Sequence, residues 1–255
     1  MAEIRFFLAG LLMLLTAHGL WRKRLPIGKE WQRLAVYGFL NISLYLGLYV
    51  MAMQSVTASI GSLAVATNPI FISLLSALVF KRKPTANLLF ALLICSGGVV
   101  CAAWPLLHGA TVNATGLWLL LGSMLSYSAA TIYYSSRSLK DLHLFVVNGW
   151  QTLFGGLFLL PVAFAFYRAE RNHFPAVFWG AVCWLAVPVS VAAIQLWLWL
   201  LRIDAVKAGL WLFLCPVFGI AIAAWLVGDA VNVYTLSGVV LVTSGLLLAQ
   251  RSGKS

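Results

Sequence analysis

The chain has 255 residues, of which 62% are hydrophobic and 9% charged, and its formal net charge is +11. A soluble domain carries about 25% charge, so this composition excludes a water-soluble globular fold and leaves a polytopic membrane protein whose solvent is lipid. The excess Lys and Arg fall in short loops between apolar runs, which argues against nucleic acid and for membrane topology and anionic headgroups.

A spanning helix needs about 20 apolar residues. Nine runs qualify: 4–21, 34–53, 56–80, 86–105, 115–134, 144–167, 175–201, 206–228 and 233–250. The first has the length of a signal peptide, but Glu3 is foreign to a basic leader and Phe7–Leu11 resembles Leu153–Leu157 in the sixth run. It is therefore expected to stay in the bundle. The second run centres on Asn41, Ser43 and Tyr45, and Tyr37, Asn41, Tyr45 and Tyr49 recur every four residues as one polar stripe. The third centres on Asn68-Pro69 and carries a small-residue face of Ser59, Ser62, Ala66, Ser73 and Ser76 that permits close helix approach. Gly97-Gly98 does the same in the fourth run and Ser244-Gly245 in the ninth. The fifth centres on Ser126 and Tyr127, with Ser123 and Thr131 nearby; the seventh on Pro188 and Ser190, with Trp184 one turn away; the eighth on Pro216, with Trp211 and Phe213 nearby. The four cysteines, Cys95, Cys101, Cys183 and Cys215, all lie inside apolar runs and read as packing residues.

Residues 56–98 and 203–245 are two copies of one unit. Pro69 matches Pro216, Ala58 matches Ala205, Ala91 matches Gly238 and Gly98 matches Gly245, each 147 positions on. Runs one to four pair with six to nine, and the fifth lacks a mate, which would precede residue 1. The expected architecture is all-α, about nine helices in two inverted-topology repeats, 1–107 with four helices and 108–255 with five. The simplest account of the unpaired run is a five-plus-five ancestor whose first helix is absent; a late start codon or a truncation would look the same. Duplicated intramembrane units are common in secondary transporters.

Orientation follows from Lys and Arg. If the loop after the first run is cytoplasmic, 14 of the 17 lie inside and only Arg5, Arg168 and Arg171 outside, so the N-terminus is expected outside and the C-terminus in the cytoplasm. Lys81-Arg82-Lys83 turns inside while its mate near Gly228-Asp229 turns outside without positive charge, as inversion requires.

All six acids, Glu3, Glu30, Asp141, Glu170, Asp204 and Asp229, lie at or beyond the predicted ends of the runs. A charge at the centre of a spanning helix costs about 2.5–3.5 kcal/mol on insertion scales and would mark function. With none in evidence, the expected substrate is neutral, zwitterionic or anionic, and proton coupling has no evident carrier. His18 is nearest, at the basic edge of the first run, where an interfacial role is expected. Neutral polar groups at mid-span are the remaining candidates: Asn41, Tyr45, Asn68, Tyr127 and Ser190 as hydrogen-bonding groups, Trp184 and Trp211 as apolar walls, and Pro69 and Pro216 as kinks or hinges. Interhelical glue is the alternative role for the amides, and simple shape the alternative for the prolines. No phosphate-binding loop, metal-ligand motif or nucleophile–base pair is visible, so no catalytic residue, metal or cofactor is expected.

Arg5-Phe6-Phe7-Leu8-Ala9-Gly10, Ala52–Ser59 followed by Asn68-Pro69, Ile203–Gly209 followed by Pro216, Leu93–Gly98 and Leu241–Gly245 together resemble an EamA-type member of the drug/metabolite transporter superfamily, over nearly the whole chain. The resemblance implies ten helices in two inverted repeats around a central cavity, alternating access, and transport of amino acids and related metabolites. The family often has an acid after the Pro-bearing helix; Arg82 and Asp229 stand at the two corresponding turns, so only the second half keeps one. The expected function is thus secondary transport, by export, of a small metabolite in a bacterial inner membrane, as monomer or homodimer. The alternative is a truncated or non-transporting membrane subunit.

Overall fold

The computed structural model describes residues 2–56, 58–81, 84–107, 113–136, 139, 141–165, 175–218, 222 and 233–251. Their elements are all helices. In lipid, backbone N–H and C=O groups find no water, so an apolar run satisfies them internally. Helix α1 (Ala2–Leu14) continues as a π-helical stretch, Leu15–Leu20. Helix α2 runs through Lys29–Gly38, a π-helical Phe39–Leu44 and Tyr45–Ala52. Helices α3 (Ala58–Val65) and α4 (Asn68–Phe80) share the expected third span. Then come α5 (Ala86–Leu107), α6 (Ala114–Ser136) and α7 (Leu144–Ala165). Helix α8 joins Ala176–Trp184, a π-helical Leu185–Ala193 and Ile194–Ile203. Helix α9 (Ala205–Leu210) tightens into a 3-10 turn at Trp211–Phe213, and α10 is Val233–Arg251.

Among the described residues six helices are long and apolar enough to cross a membrane: Glu3–Leu20, Lys29–Ala52, Leu63–Phe80, Ala114–Ser136, Leu144–Ala165 and Ala176–Ile203. Shorter apolar helices, Ala86–Ala102, Ala205–Phe218 and Leu236–Ala249, lie in the other three expected spans. The expected turn charges Arg82, Lys83, Arg137, Lys140, Arg168, Arg171 and Asp229 lie outside the described residues, as do the side chains of Ser59 and Ser62.

In the third span α3 and α4 are joined by a turn at Ala66-Thr67, and Pro69 sits in the first turn of α4, where a missing N–H leaves no bond unmade. Thr67 donates from Oγ1 to the Ala64 carbonyl at 2.7 Å. Pro216 lies in the helical stretch 214–218 that follows the 3-10 turn directly. Asp204 caps α9, its Oδ1 accepting from the N–H groups of Val206 and Lys207 at 2.9 and 3.0 Å.

By contact the chain forms two compact units. The first comprises Met1–Gly47 and Tyr133–Ile203; the second comprises Leu48–Ile132 and Asp204–Ser255. Each gathers repeat-mates from both halves of the sequence. In the first unit α1 packs on its mate α7. A Cβ at Gly10 would lie 3.3 Å from the Gly149 carbonyl oxygen, and one at Gly156 would lie 3.2 Å from the Cβ of Phe6. Gly10 and Gly156 are themselves mates, and both stand in this interface. In the second unit α5 packs on its mate α10. Cys95 faces its own mate Val242, with Sγ 3.5 Å from the Val242 carbonyl oxygen. On either side, a Cβ at Gly98 would lie 2.9 Å from the Gly238 carbonyl, and one at Gly245 would lie 3.1 Å from the Ala91 carbonyl. In both pairs residue numbers rise on one helix as they fall on the other. Mates that cross antiparallel about a self-facing point are what an inverted repeat demands; a two-fold along the helix axes would make them parallel. Lipid tails are as apolar as Leu, so this approach of small residues, rather than water exclusion, holds the mates together.

Candidate functional site

The first unit carries a buried line of neutral polar groups. Asn41 donates from Nδ2 to Gln151 Oε1 at 3.0 Å, Gln151 donates from Nε2 to Asn148 Oδ1 at 3.0 Å, and Asn148 donates from Nδ2 to the Ser190 carbonyl at 2.9 Å. Thr152 adds a bond from Oγ1 to Asn148 Oδ1 at 3.3 Å, and Ser43 donates from Oγ to the Gly155 carbonyl at 2.7 Å. Asn41, Asn148, Gln151, Thr152 and Ser190 are all buried. Two of the three strands of this line are π-helical: Asn41 and Ser43 lie in Phe39–Leu44, and Ser190 in Leu185–Ala193. A π turn widens the backbone and loosens its carbonyls, and such turns cluster at functional sites. Ser190 takes advantage of one, donating from Oγ to the Leu185 carbonyl at 3.0 Å. Gly38 and Gly155 let α2 and α7 approach this closely; a Cβ at Gly155 would stand 2.5 Å from the Cβ of Ile42.

The second unit holds Asn68, 2% exposed, whose Oδ1 accepts from Ser128 Oγ at 3.2 Å. Ser123, Ser126 and Thr131 are buried on the same helix, and half-buried Tyr127 accepts at its carbonyl from Thr131 Oγ1 at 3.0 Å.

The expected site residues thus divide. Asn41, Tyr45, Ser190 and Trp184 belong to the first unit; Asn68, Tyr127 and Trp211 belong to the second. Asn41 and Ser190 join one hydrogen-bonded line, and Asn68 joins Ser128. Trp184 and Trp211 are 66% and 46% exposed.

Three further groups escaped the sequence reading. Asn148, Gln151 and Thr152 stand three and four residues apart on an otherwise apolar span, a polar stripe that spacing alone could have revealed. Arg202 closes one end of the unit: Nε donates to Tyr134 Oη at 2.9 Å, and Nη2 to the carbonyls of Leu142 at 2.5 Å and Leu139 at 3.4 Å. Tyr134 in turn stacks on Tyr37, centroids 5.2 Å apart. Third, both carboxylate oxygens of Glu3, the first residue of its span, are buried, and a Cβ at Gly156 would lie 3.5 Å from Oε2.

His18 is an anchor, as its position implied. Its Nδ1 bonds the Lys23 carbonyl at 2.8 Å and its Nε2 accepts from Trp150 Nε1 at 3.3 Å. Outside the spans, burial holds His143 below the ordinary imidazole value, with Lys23 and Arg202 adding to the shift. Its Nδ1 accepts from the Phe145 N–H at 3.3 Å, as a neutral ring can.

Antiparallel repeat-mates, membrane-length helices and mid-span neutral polar groups define a polytopic membrane transporter. The sequence matches the EamA-like transporter family over residues 1–104 and 114–250, and the chain belongs to that family. It is a secondary transporter within the drug/metabolite superfamily and not an enzyme. An uncharacterized transporter of Synechocystis is 25% identical over 238 residues, 86% of this chain and 71% of that protein. One from Archaeoglobus fulgidus is 24% identical over 97% of this chain and 86% of its own length. Protein PecM of Dickeya dadantii is 25% identical over 98% and 82%. A solved crystal structure superposes with a TM-score of 0.83 over 100% of this chain and 88% of its own, at 18% identity, which speaks for the fold alone.

Proposed function

We propose that the chain exports a small neutral or zwitterionic metabolite, an amino acid or a close chemical relative, by alternating access. The observation that carries this reading is the uncharged amide line Asn41–Gln151–Asn148 with its end on Ser190. Amides donate and accept at once, so they can trade a protein partner for the carboxylate or ammonium of a zwitterion without moving a charge into lipid. The proposed substrate contacts are Asn41, Tyr45 and Ser190 in the first unit, and Asn68 and Tyr127 in the second. Trp184 and Trp211 are the proposed apolar walls. Pro69 and Pro216, one in each repeat, are the proposed hinges, the first preceded by the Ala66-Thr67 turn and the second by the 3-10 turn Trp211–Phe213. The Lys and Arg bias supports a bacterial inner membrane with the N-terminus outside and the C-terminus in the cytoplasm.

The test is counterflow of labelled amino acids into proteoliposomes preloaded with unlabelled pools. Wild type should exchange one chemical class of them. Asn41→Ala, folded by size exclusion, should slow exchange about tenfold, the worth of one lost hydrogen bond of about 1.4 kcal/mol. Absence of counterflow with every amino-acid pool would overturn the reading, and unchanged rates in Asn41→Ala and Asn68→Ala would remove those residues from it.

A further inference from the structure

The amide line has a direction, and one backbone atom fixes it. The Ser190 carbonyl only accepts, so Asn148 must turn Nδ2 toward it, 2.9 Å away. Asn148 Oδ1 then faces Gln151, which must donate from Nε2 at 3.0 Å, while Thr152 Oγ1 donates to the same oxygen at 3.3 Å. With Nε2 committed, Gln151 offers Oε1 to Asn41, which donates from Nδ2 at 3.0 Å. A lone side-chain amide flips without changing shape. Here a flip at any one member would set oxygen against oxygen, and the carbonyl at the end does not flip at all.

The line is closed at the Ser190 end and open at the other. Asn148, Gln151 and Thr152 are fully buried and Ser190 is 1% exposed, whereas Asn41 keeps 9%. No described group donates to Asn41 Oδ1, and that oxygen is not sealed in the interior. Asn41 is twelve residues from Lys29 and eleven from Ala52, so the open end lies at the middle of its own span. Ser43, on the same π-helical stretch, has spent its one O–H on the Gly155 carbonyl and has only lone pairs left. Three amides aligned head to tail polarise one another, and their oxygens all point toward the open end. That end is an acceptor carrying the negative pole of the line, and whatever binds Oδ1 must donate.

From this geometry we infer that Asn41 selects the ammonium group of the substrate, with Gln151 and Asn148 as positioning residues that hold its amide oxygen outward. The inference rests on the transport reading and deepens it: of the two ends of a zwitterion, the first unit reads the amine. An ammonium brings three donors and a positive charge to the negative pole of the line. A keto or carboxylate oxygen at the same place would set lone pairs against lone pairs. No covalent step is involved.

The probes are the amino acid that exchanges fastest in counterflow, its 2-oxo acid and its 2-hydroxy acid. The 2-oxo acid puts an acceptor where the amino acid has its donor. In wild type it should compete about 10- to 100-fold less well, the worth of one hydrogen bond to a charged group. The 2-hydroxy acid, a neutral donor, should fall between the two. Asn41→Ala should remove the preference by weakening the amino acid and sparing the 2-oxo acid. Gln151→Met should narrow it as well, because the Asn41 amide is then free to turn. A packing role alone would weaken all three probes alike. Equal competition by amino acid and 2-oxo acid in wild type, or equal losses for both in Asn41→Ala, overturns the inference and leaves transport standing. If no amino acid exchanges, the transport reading fails, and thermal unfolding in micelles decides the amine subsite. Butylammonium is compared at equal ionic strength with butanoate and with butyltrimethylammonium, which has the charge but no N–H. A Tm raised by butylammonium alone, and not raised in Asn41→Ala, supports the subsite. No rise, or an equal rise with butyltrimethylammonium, overturns it.

Discussion

Gly97 and Gly98 are neighbours on α5, and one methyl group distinguishes them. A Cβ at Gly97 would meet nothing within 4 Å. A Cβ at Gly98 would stand 2.8 Å from the Cβ of Leu241, 2.9 Å from the Gly238 carbonyl oxygen and 2.9 Å from the Val242 nitrogen. Two of those atoms are backbone of α10 and cannot rotate away, so relief requires the mates to separate around Cys95 and Val242. Overpacking of this kind costs about 1–3 kcal/mol. Both substitutions share the helix-propensity gain of Gly→Ala, up to about 1 kcal/mol. That gain cancels in the comparison, so Gly98→Ala should be less stable than Gly97→Ala by about 1–3 kcal/mol, roughly 5- to 150-fold in the folded-to-unfolded ratio. Gly245→Ala should fall with Gly98→Ala, because its Cβ would press on Cys95 Sγ and lie 3.1 Å from the Ala91 carbonyl. Unfolding in micelles followed by tryptophan fluorescence measures all three. Equal stability of the Gly97 and Gly98 variants would show that the mates do not approach as described.

Asn148 engages Gln151, Thr152 and Ser190, so Asn148→Ala should lose three intramembrane bonds of about 0.6 kcal/mol each, about 2 kcal/mol in all, whereas Thr152→Val should lose one; the same unfolding assay ranks them. Arg202→Lys keeps the charge but not the fork that reaches Tyr134, Leu139 and Leu142 together, so hydrogen exchange at residues 139 and 142 should rise although net charge is unchanged. His143 is held below its ordinary value of 6.5, first by burial and then by Lys23 and Arg202. Below pH 6.5 the unfolded chain gains a proton that the folded ring resists, so this contribution to stability is full above pH 6.5 and lost as pH falls through the depressed value. His143→Gln should flatten that acid limb in a stability–pH profile, and an unchanged limb would assign it to another group.

Most of the architecture was legible in the chain because lipid permits a spanning segment few solutions. Among the described residues each of the nine apolar runs holds helix, six of them long enough to span, and the 147-residue offset of Gly98 and Gly245 already contained the mate contacts. The disturbance near Pro69 was legible, but not its place at the Ala66-Thr67 turn, since a Pro-bearing run has the same composition wherever it bends. The π-helical stretches at Phe39–Leu44 and Leu185–Ala193 left no sign, because hydrogen-bond register is invisible in apolar sequence.

Composition, periodicity and internal repetition therefore determined the class of protein, the number of spans and which helices are kin: these are properties of one segment against lipid, or of one segment against its own copy. Which polar groups meet was decided only by packing between segments distant in the chain. Asn41 finds Gln151 across 110 residues, and Asn148 finds the Ser190 carbonyl across 42. The depth of a side chain depends on where its helix meets its neighbour, and that registry is a property of the folded bundle.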